Sequence, residues 1–179
     1  MDKQDDSVPN YFAFYGLETQ FGLDLAKLKR LFLLKSRETH PDFFTLASAK
    51  EQADAMTQSA LNNEAYKVLA DVHLRTEHIL RLFGLLADGE KDELSPNFLM
   101  EMMDINEQLM DAAFDPLARQ QVEKEVQAQL DALKAQEIPL MQAFDAQENS
   151  ELLKKIKEIY FRRKYLLRIK EKLDTFASR

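Results

Sequence analysis

Glycine and proline cut a chain into short strands and tight turns, and here they occur only four and five times in 179 residues. A sheet-rich fold needs a turn signal roughly every 8–12 residues. The sequence therefore points to an all-α protein, with long helices and few joints. Its many Ala, Leu, Lys, Glu and Gln residues agree, because these side chains lose little rotamer freedom in a helix. The length suits one large domain or two small ones.

Other features remove whole classes of function. No cysteine is present, which excludes disulfides, thiolate metal sites, cysteine nucleophiles and an iron–sulfur cluster held by the chain's own thiolates. The formal net charge of −7 opposes general binding to nucleic-acid phosphates. No run of about 18 apolar residues exists to span a membrane. The opening MDKQDDSVPN lacks the apolar core of a signal peptide, so a cytoplasmic protein is expected. His73 and His78 do not have the i, i+4 spacing that puts two ligands on one helical face, and both read as structural. There is no phosphate-binding glycine loop, nucleophile elbow or zinc motif. No catalytic centre, metal or cofactor is expected.

Helix signals then divide the chain. Residues 1–9 are polar and expected to fray. Tyr11 to Leu17 reads as a short aromatic helix ending at Gly16. Asp24 can cap a helix over 25–39, with Leu25, Leu28, Leu31, Phe32 and the Lys35 stem recurring at helical spacing. Pro41 forbids continuation, and a loop follows over 40–46. A helix over 47–69 is expected to turn Ala53, Met56, Ala60, Asn63, Glu64, Tyr66 and Val68 inward. A shorter one over 73–83 directs Leu74, Ile79, Leu82 and Phe83 inward and stops at Gly84. Residues 84–95 combine glycine with charge and mark a domain boundary. Ser95-Pro96 gives an N-cap followed by proline at the first helical position, starting a helix over 96–112. Asp115-Pro116 repeats the signal for 116–144, with a kink expected at Pro139. Asn149 or Ser150 starts a last helix to Phe176, with Leu152, Ile156, Ile159, Leu166, Ile169, Leu173 and Phe176 on one face. Three long helices with short joints make an antiparallel bundle.

The most informative segment is Glu38-Thr39-His40-Pro41-Asp42-Phe43-Phe44. It places a titratable ring, a rigid proline and a carboxylate together at a helix end. Pro41 restricts the loop, so Asp42 is presented outward at low entropic cost. An exposed carboxylate held this way suits an arginine on a partner. The tripeptide alone would occur by chance in about one per cent of chains this long, but its context adds weight. A basic helix carrying Lys27, Lys29, Arg30, Lys35 and Arg37 precedes it, a second helical pattern follows, and Tyr11-Phe12 through Gly16-Leu17 lie upstream. In this arrangement residues 10–83 resemble a J-domain. The resemblance implies that His40, Pro41 and Asp42 dock on a DnaK-type chaperone and trigger ATP hydrolysis there, helped by Lys29, Arg30, Lys35 and Arg37. Lys27 reads as a solvated charge. The chain departs from the general family at Leu33 and Leu34, where a basic pair usually stands.

The bundle carries a second signal. On the 96–112 helix, Phe98, Met102, Ile105, Leu109, Ala112 and Ala113 form a stripe for the bundle core. Leu99, Met100, Met103 and Met110 form a second apolar set on a neighbouring face. Asp104, Glu107 and Asp111 line up beside it at three- and four-residue steps. Two arrangements fit this pattern. Either the other helices wrap the first and bury both sets, or the second is an apolar patch rimmed by acids, suited to a basic, apolar partner.

The full layout is a J-like domain over 10–83 (a helical hairpin with flanking short helices), a linker over 84–95 and a three-helix bundle over 96–179. It resembles the HscB-type co-chaperones of iron–sulfur cluster assembly. The strings that carry the resemblance are His40-Pro41-Asp42-Phe43-Phe44, Asn63-Glu64-Ala65-Tyr66-Lys67-Val68-Leu69 and Phe98-Leu99-Met100-Glu101. It implies that Leu99, Met100, Met103, Asp104, Glu107 and Asp111 bind a scaffold protein. Tyr165 joins them through the stretch Arg163-Lys164-Tyr165-Leu166. The implied partners are an HscA/DnaK-type ATPase chaperone and an IscU-type iron–sulfur scaffold. The implied function is to bring them together and stimulate ATP hydrolysis, with no covalent chemistry of its own. Some relatives carry an N-terminal cysteine-pair module, and its absence suggests a bacterial form. The alternatives are a J-domain co-chaperone for another client, or a helical adaptor in which the tripeptide is incidental.

Overall fold

The computed structural model describes residues 8–87 and 94–177, and all regular elements among them are helical. The chain divides into two compact units, Met1–Leu86 and Ala87–Arg179.

In the first unit, local chemistry sets the helix ends. Helix α1 (Tyr11–Tyr15) starts where the Asn10 side chain accepts from the Ala13 N–H, and stops at Gly16, whose φ of 64° is left-handed. Helix α2 (Leu25–Glu38) starts where Asp24 accepts from the Ala26 and Lys27 N–H groups. Helix α3 (Ala49–Ala70) has a complete capping box between Ser48 and Glu51. Asp71 caps helix α4 (Val72–Leu82), and Gly84 follows it with φ 67°. Helices α2 and α3 run antiparallel. Phe32 stacks on Tyr66 with ring centroids 4.4 Å apart, while Ser36, later in α2, meets Asn62, earlier in α3. Phe12, Leu28, Ala65, Leu69, Ile79, Leu80 and Leu82 are buried in this unit.

Several inward faces differ from the expected ones. In α3 the buried residues are Ala55, Asn62, Ala65 and Leu69. Ala53, Met56, Ala60, Asn63 and Glu64 are exposed, and Tyr66 and Val68 are partly buried. The cause is a polar hub. Buried Asn62 donates to the Phe32 carbonyl (3.1 Å) and Ser36 Oγ (2.9 Å), and accepts from Tyr15 Oη (2.7 Å). These bonds rotate α3 so that its small residues, rather than Met56, face α2. In α4, Leu74 is exposed and Arg75 is buried instead, donating to the Phe21 and Leu69 carbonyls. Leu25, in the first turn of α2, is also exposed.

The second unit is an antiparallel three-helix bundle. Its first arm is not the single helix expected over 96–112. It forms α5 (Pro96–Glu101) and α6 (Met103–Asp111), interrupted at Met102, where ψ is −6°. Asn106 sits one turn after the break, and its side-chain amide donates to the Met102 carbonyl at 2.7 Å beside its own backbone N–H at 2.9 Å. Side-chain bonds to the carbonyl four residues back often accompany a bend in a helix, and here the ladder bond to that carbonyl is kept. Helix α7 (Pro116–Ala146) runs as one element through Pro139. Helix α8 (Ser150–Ala177) returns beside it. A buried ion pair, Arg163 with Glu137, joins α8 to α7, its Nη2–Oε1 arm measuring 2.8 Å. The core gathers Phe98, Met102, Ile105, Leu109 and Ala112 with Val122, Val126 and Leu133 from α7 and Ile159, Leu166, Ile169 and Leu173 from α8.

The expected linker over 84–95 lies partly outside the described residues. Of its described part, Leu86 is buried and the Leu85 N–H bonds the Leu80 carbonyl at 2.8 Å, so residues 84–86 close the first unit. At its other end Ser95 caps α5 through the Phe98 N–H.

Candidate functional site

Two surfaces, one on each unit, carry the residues singled out from the sequence. The first is the turn after α2. Helix α2 ends before Pro41, and Pro41–Phe44 form one turn of 3-10 helix. His40 is its N-cap, and its Nδ1 accepts from the Asp42 N–H at 3.3 Å. The same ring nitrogen lies 3.6 Å from Asp42 Oδ2. The His40 carbonyl accepts from the Phe43 N–H at 3.0 Å, and the ring lies edge-on to Phe43. The imidazole therefore braces the backbone of the turn while the Asp42 side chain, 84% exposed, points to solvent. Phe43 and Leu46 stand exposed beside it.

Helix α2 leads into this turn. Lys29, Arg30 and Arg37 are exposed. At 100° per residue they share one face with Leu33 and Leu34, which are also exposed. Lys35 does not share it. It is partly buried, and its ammonium lies 4.3 Å from the centre of the Phe14 ring, tying α2 to α1. The face beside the turn is thus three cations around two leucines, and Lys35 is an internal contact.

The second surface is α5–α6. Its inner stripe of Phe98, Met102, Ile105, Leu109 and Ala112 is buried, and Ala113 is partly so. The neighbouring set is open to solvent: Leu99 is 43% exposed, Met100 68%, Met103 58% and Met110 74%. Asp104, Glu107 and Asp111 are exposed alongside. Helices α7 and α8 therefore cover one stripe only. Tyr165 reaches the same place from α8. It is partly buried against the core, edge-on to Phe98 at 5.7 Å, and its hydroxyl accepts from Asn106 Nδ2 at 2.7 Å. Asn106 follows Met103 by three residues and precedes Met110 by four, so it stands in their row. It was not among the residues expected from the sequence, and a lone Asn in an otherwise apolar row is the signal that marks it.

Neither surface gathers the groups of a covalent mechanism. His78 is buried, accepts from the Tyr11 N–H at Nε2 (3.3 Å) and stacks on the Tyr11 ring. Among the described residues no three His, Asp or Glu side chains cluster to hold a metal ion, and no helix is long and apolar enough to cross a membrane.

Comparison with known proteins places both units in context. Residues 94–174 match the family described as the HSCB C-terminal oligomerisation domain. A protein named co-chaperone protein HscB homolog from Bordetella avium is 33% identical over 130 residues, which is 72% of this chain and 77% of that one. The homolog from Pseudoalteromonas atlantica is 33% identical over 168 residues, 90% of this chain and 96% of its own. The solved structure of chaperone HscB from Vibrio cholerae superposes with a TM-score of 0.75 at 30% identity, covering 94% of this chain and 98% of that one.

Proposed function

The chain belongs to the HscB co-chaperone family, and from that membership and the two surfaces we propose that it couples an iron–sulfur scaffold to an ATPase chaperone. Residues 10–83 act as a J-domain. Residues 84–86 close that unit, the linker follows them, and 96–179 form the scaffold-binding bundle. The bundle captures an IscU-type scaffold through Leu99, Met100, Met103 and Tyr165, with Asp104, Glu107 and Asp111 steering a basic partner into register. The J-domain presents His40, Pro41 and Asp42 to an HscA/DnaK-type chaperone, and Lys29, Arg30 and Arg37 supply charge beside that turn. Holding both partners at once raises the effective concentration of scaffold at the chaperone. The product of the cycle is assisted iron–sulfur cluster assembly and transfer, with the ATP chemistry performed by the chaperone.

One observation carries this reading: α5–α6 buries one complete apolar stripe and leaves a second, flanked by acids, in water. A helix that served only the bundle would need the first stripe alone.

The test is steady-state ATP turnover by an HscA-type chaperone with an IscU-type scaffold present. Wild type is expected to stimulate turnover, and Asp42→Asn to abolish the stimulation. Leu99→Ala/Met103→Ala is expected to remove only the scaffold-dependent part, with each truncation costing roughly 2 kcal/mol in scaffold binding. Stimulation that never depends on scaffold would assign the bundle to another client. No stimulation by the wild type would discard the co-chaperone reading.

A further inference from the structure

The open apolar row of α5–α6 does not stop at the residues assigned above to the scaffold. Beyond Leu99 and Met103 it continues through Met110 to Phe114, 92% exposed, and past the following turn Leu117 is 77% exposed. The Asp115 N–H bonds the Asp111 carbonyl at 3.0 Å, and so does the Phe114 N–H. The helical turn therefore carries on past the end of α6, and Phe114 stands one turn beyond Met110, on the same side. Leu117 follows in the first turn of α7. Single exposed leucines are ordinary. A phenylalanine this open, in line with Met110, Met103 and Leu99, lengthens the patch, and Leu117 stands exposed three residues on.

Charge says what covers it. From Leu94 to Ala118 the sequence holds Glu101, Asp104, Glu107, Asp111 and Asp115 and no Lys, Arg or His. Glu101, Asp104, Glu107 and Asp111 are all exposed and make no ion pair among the described residues. A second copy docked face to face would set these acids against their own kind. A partner with an apolar ridge flanked by lysine and arginine would meet them as counter-charges.

We propose that the scaffold-binding surface extends past Met110 over the α6–α7 turn, with Phe114 and Leu117 as its far anchors. It rests on the reading of α5–α6 as the scaffold site. Its occupant is a basic, apolar surface of that same scaffold. Met110 lies between the two ends, so the contact is one surface rather than two.

The test measures binding of the full chain to an IscU-type scaffold by titration calorimetry, with sedimentation velocity of each protein alone. The variants are Phe114→Ser/Leu117→Ser and, as reference, Leu99→Ala/Met103→Ala. Because Phe114 and Leu117 lie outside the core, the first variant is expected to keep the wild-type melting temperature and to bind the scaffold at least tenfold more weakly. Affinity within twofold of wild type, while the reference variant loses binding, would overturn the extension and leave the scaffold reading intact. Absence of scaffold binding by the wild type would remove both. A free protein that is oligomeric as wild type and dissociates in the Phe114→Ser/Leu117→Ser variant would assign the surface to a second copy and overturn the proposal.

Discussion

Replacing Asn62 by alanine is the sharpest test of how the first unit is held together. Asn62 is 1% exposed and makes three side-chain hydrogen bonds, to the Phe32 carbonyl, Ser36 Oγ and Tyr15 Oη. They join α3 to both α2 and α1. At about 1 kcal/mol net for each buried bond, Asn62→Ala should destabilise the unit by about 3 kcal/mol. Tyr15→Phe removes the shortest of the three and should cost about 1.5 kcal/mol, because Asn62 Oδ1 then stays buried without that donor. The two variants share one bond, so their effects should overlap by about 1 kcal/mol in a double-mutant cycle. Met56→Ala is the control: it removes a larger apolar side chain from the same helix, yet Met56 is 65% exposed, so the cost should stay within about 0.5 kcal/mol. Urea denaturation followed by circular dichroism, with native-state hydrogen exchange at the α2 and α3 amides, reads the unit's own stability. If Met56→Ala costs as much as Asn62→Ala, the inner face assigned to α3 is wrong and the hub does not hold the hairpin. The consequence reaches the turn proposed to dock on the chaperone, because the segment carrying His40 and Asp42 begins two residues after α2 ends.

Two further perturbations test buried charge. Removing one partner of the Glu137–Arg163 pair, as in Glu137→Ala, should cost about 3–5 kcal/mol by leaving a desolvated charge, whereas Glu137→Leu/Arg163→Met should be close to neutral. Urea midpoints that barely move in the single variant would show that water already reaches the pair. His78 is pushed down to about 4 from 6.5, first by burial and then by the nearby Arg81 charge. The unfolded chain therefore binds the proton first, so this contribution is complete above pH 6.5 and is lost as pH falls towards 4. With solvent screening allowed for, the loss is on the order of 2 kcal/mol. In His78→Gln the fall in urea midpoint between pH 6.5 and 4.5 should be much smaller than in wild type. An equal fall in both would place the titrating group elsewhere.

Helix ends were legible because caps are local. Asp24, Ser95-Pro96, Asp115-Pro116, Gly16 and Gly84 each act through backbone groups a few residues away, and each stands where its type predicts. The core face of α5–α6 and most of that of α8 were legible because large apolar residues repeat there at helical spacing, although α8 buries Leu153 and Phe161, outside the expected set, and leaves Leu152 partly exposed. Helix α3 was not, because its buried positions hold two alanines, an asparagine and one leucine, a set with no apolar period to read. The burial of Arg75 in place of Leu74 escaped notice for a related reason. Its value comes from the Phe21 and Leu69 carbonyls, and Phe21 lies 54 residues away in the chain.

The candidate surfaces divide along the same line. Residue identity alone shows that Leu99, Met103 and Met110 share a face, but whether that face is covered depends on where α7 and α8 lie, which is a property of the packed bundle. Asn106 connects the two levels. Within α6 it bonds the Met102 carbonyl, and across the bundle it holds the Tyr165 hydroxyl. A leucine at 106 would continue the outer row and make neither bond. The single polar residue in that row therefore ties the turn at Met102 to α8 and fixes the edge of Tyr165 beside the outer stripe. A helix can bury one apolar face and keep another in solvent only if something other than hydrophobicity decides which is which. Here the Asn106 amide, bonded on both sides, favours one rotation of the arm over the others.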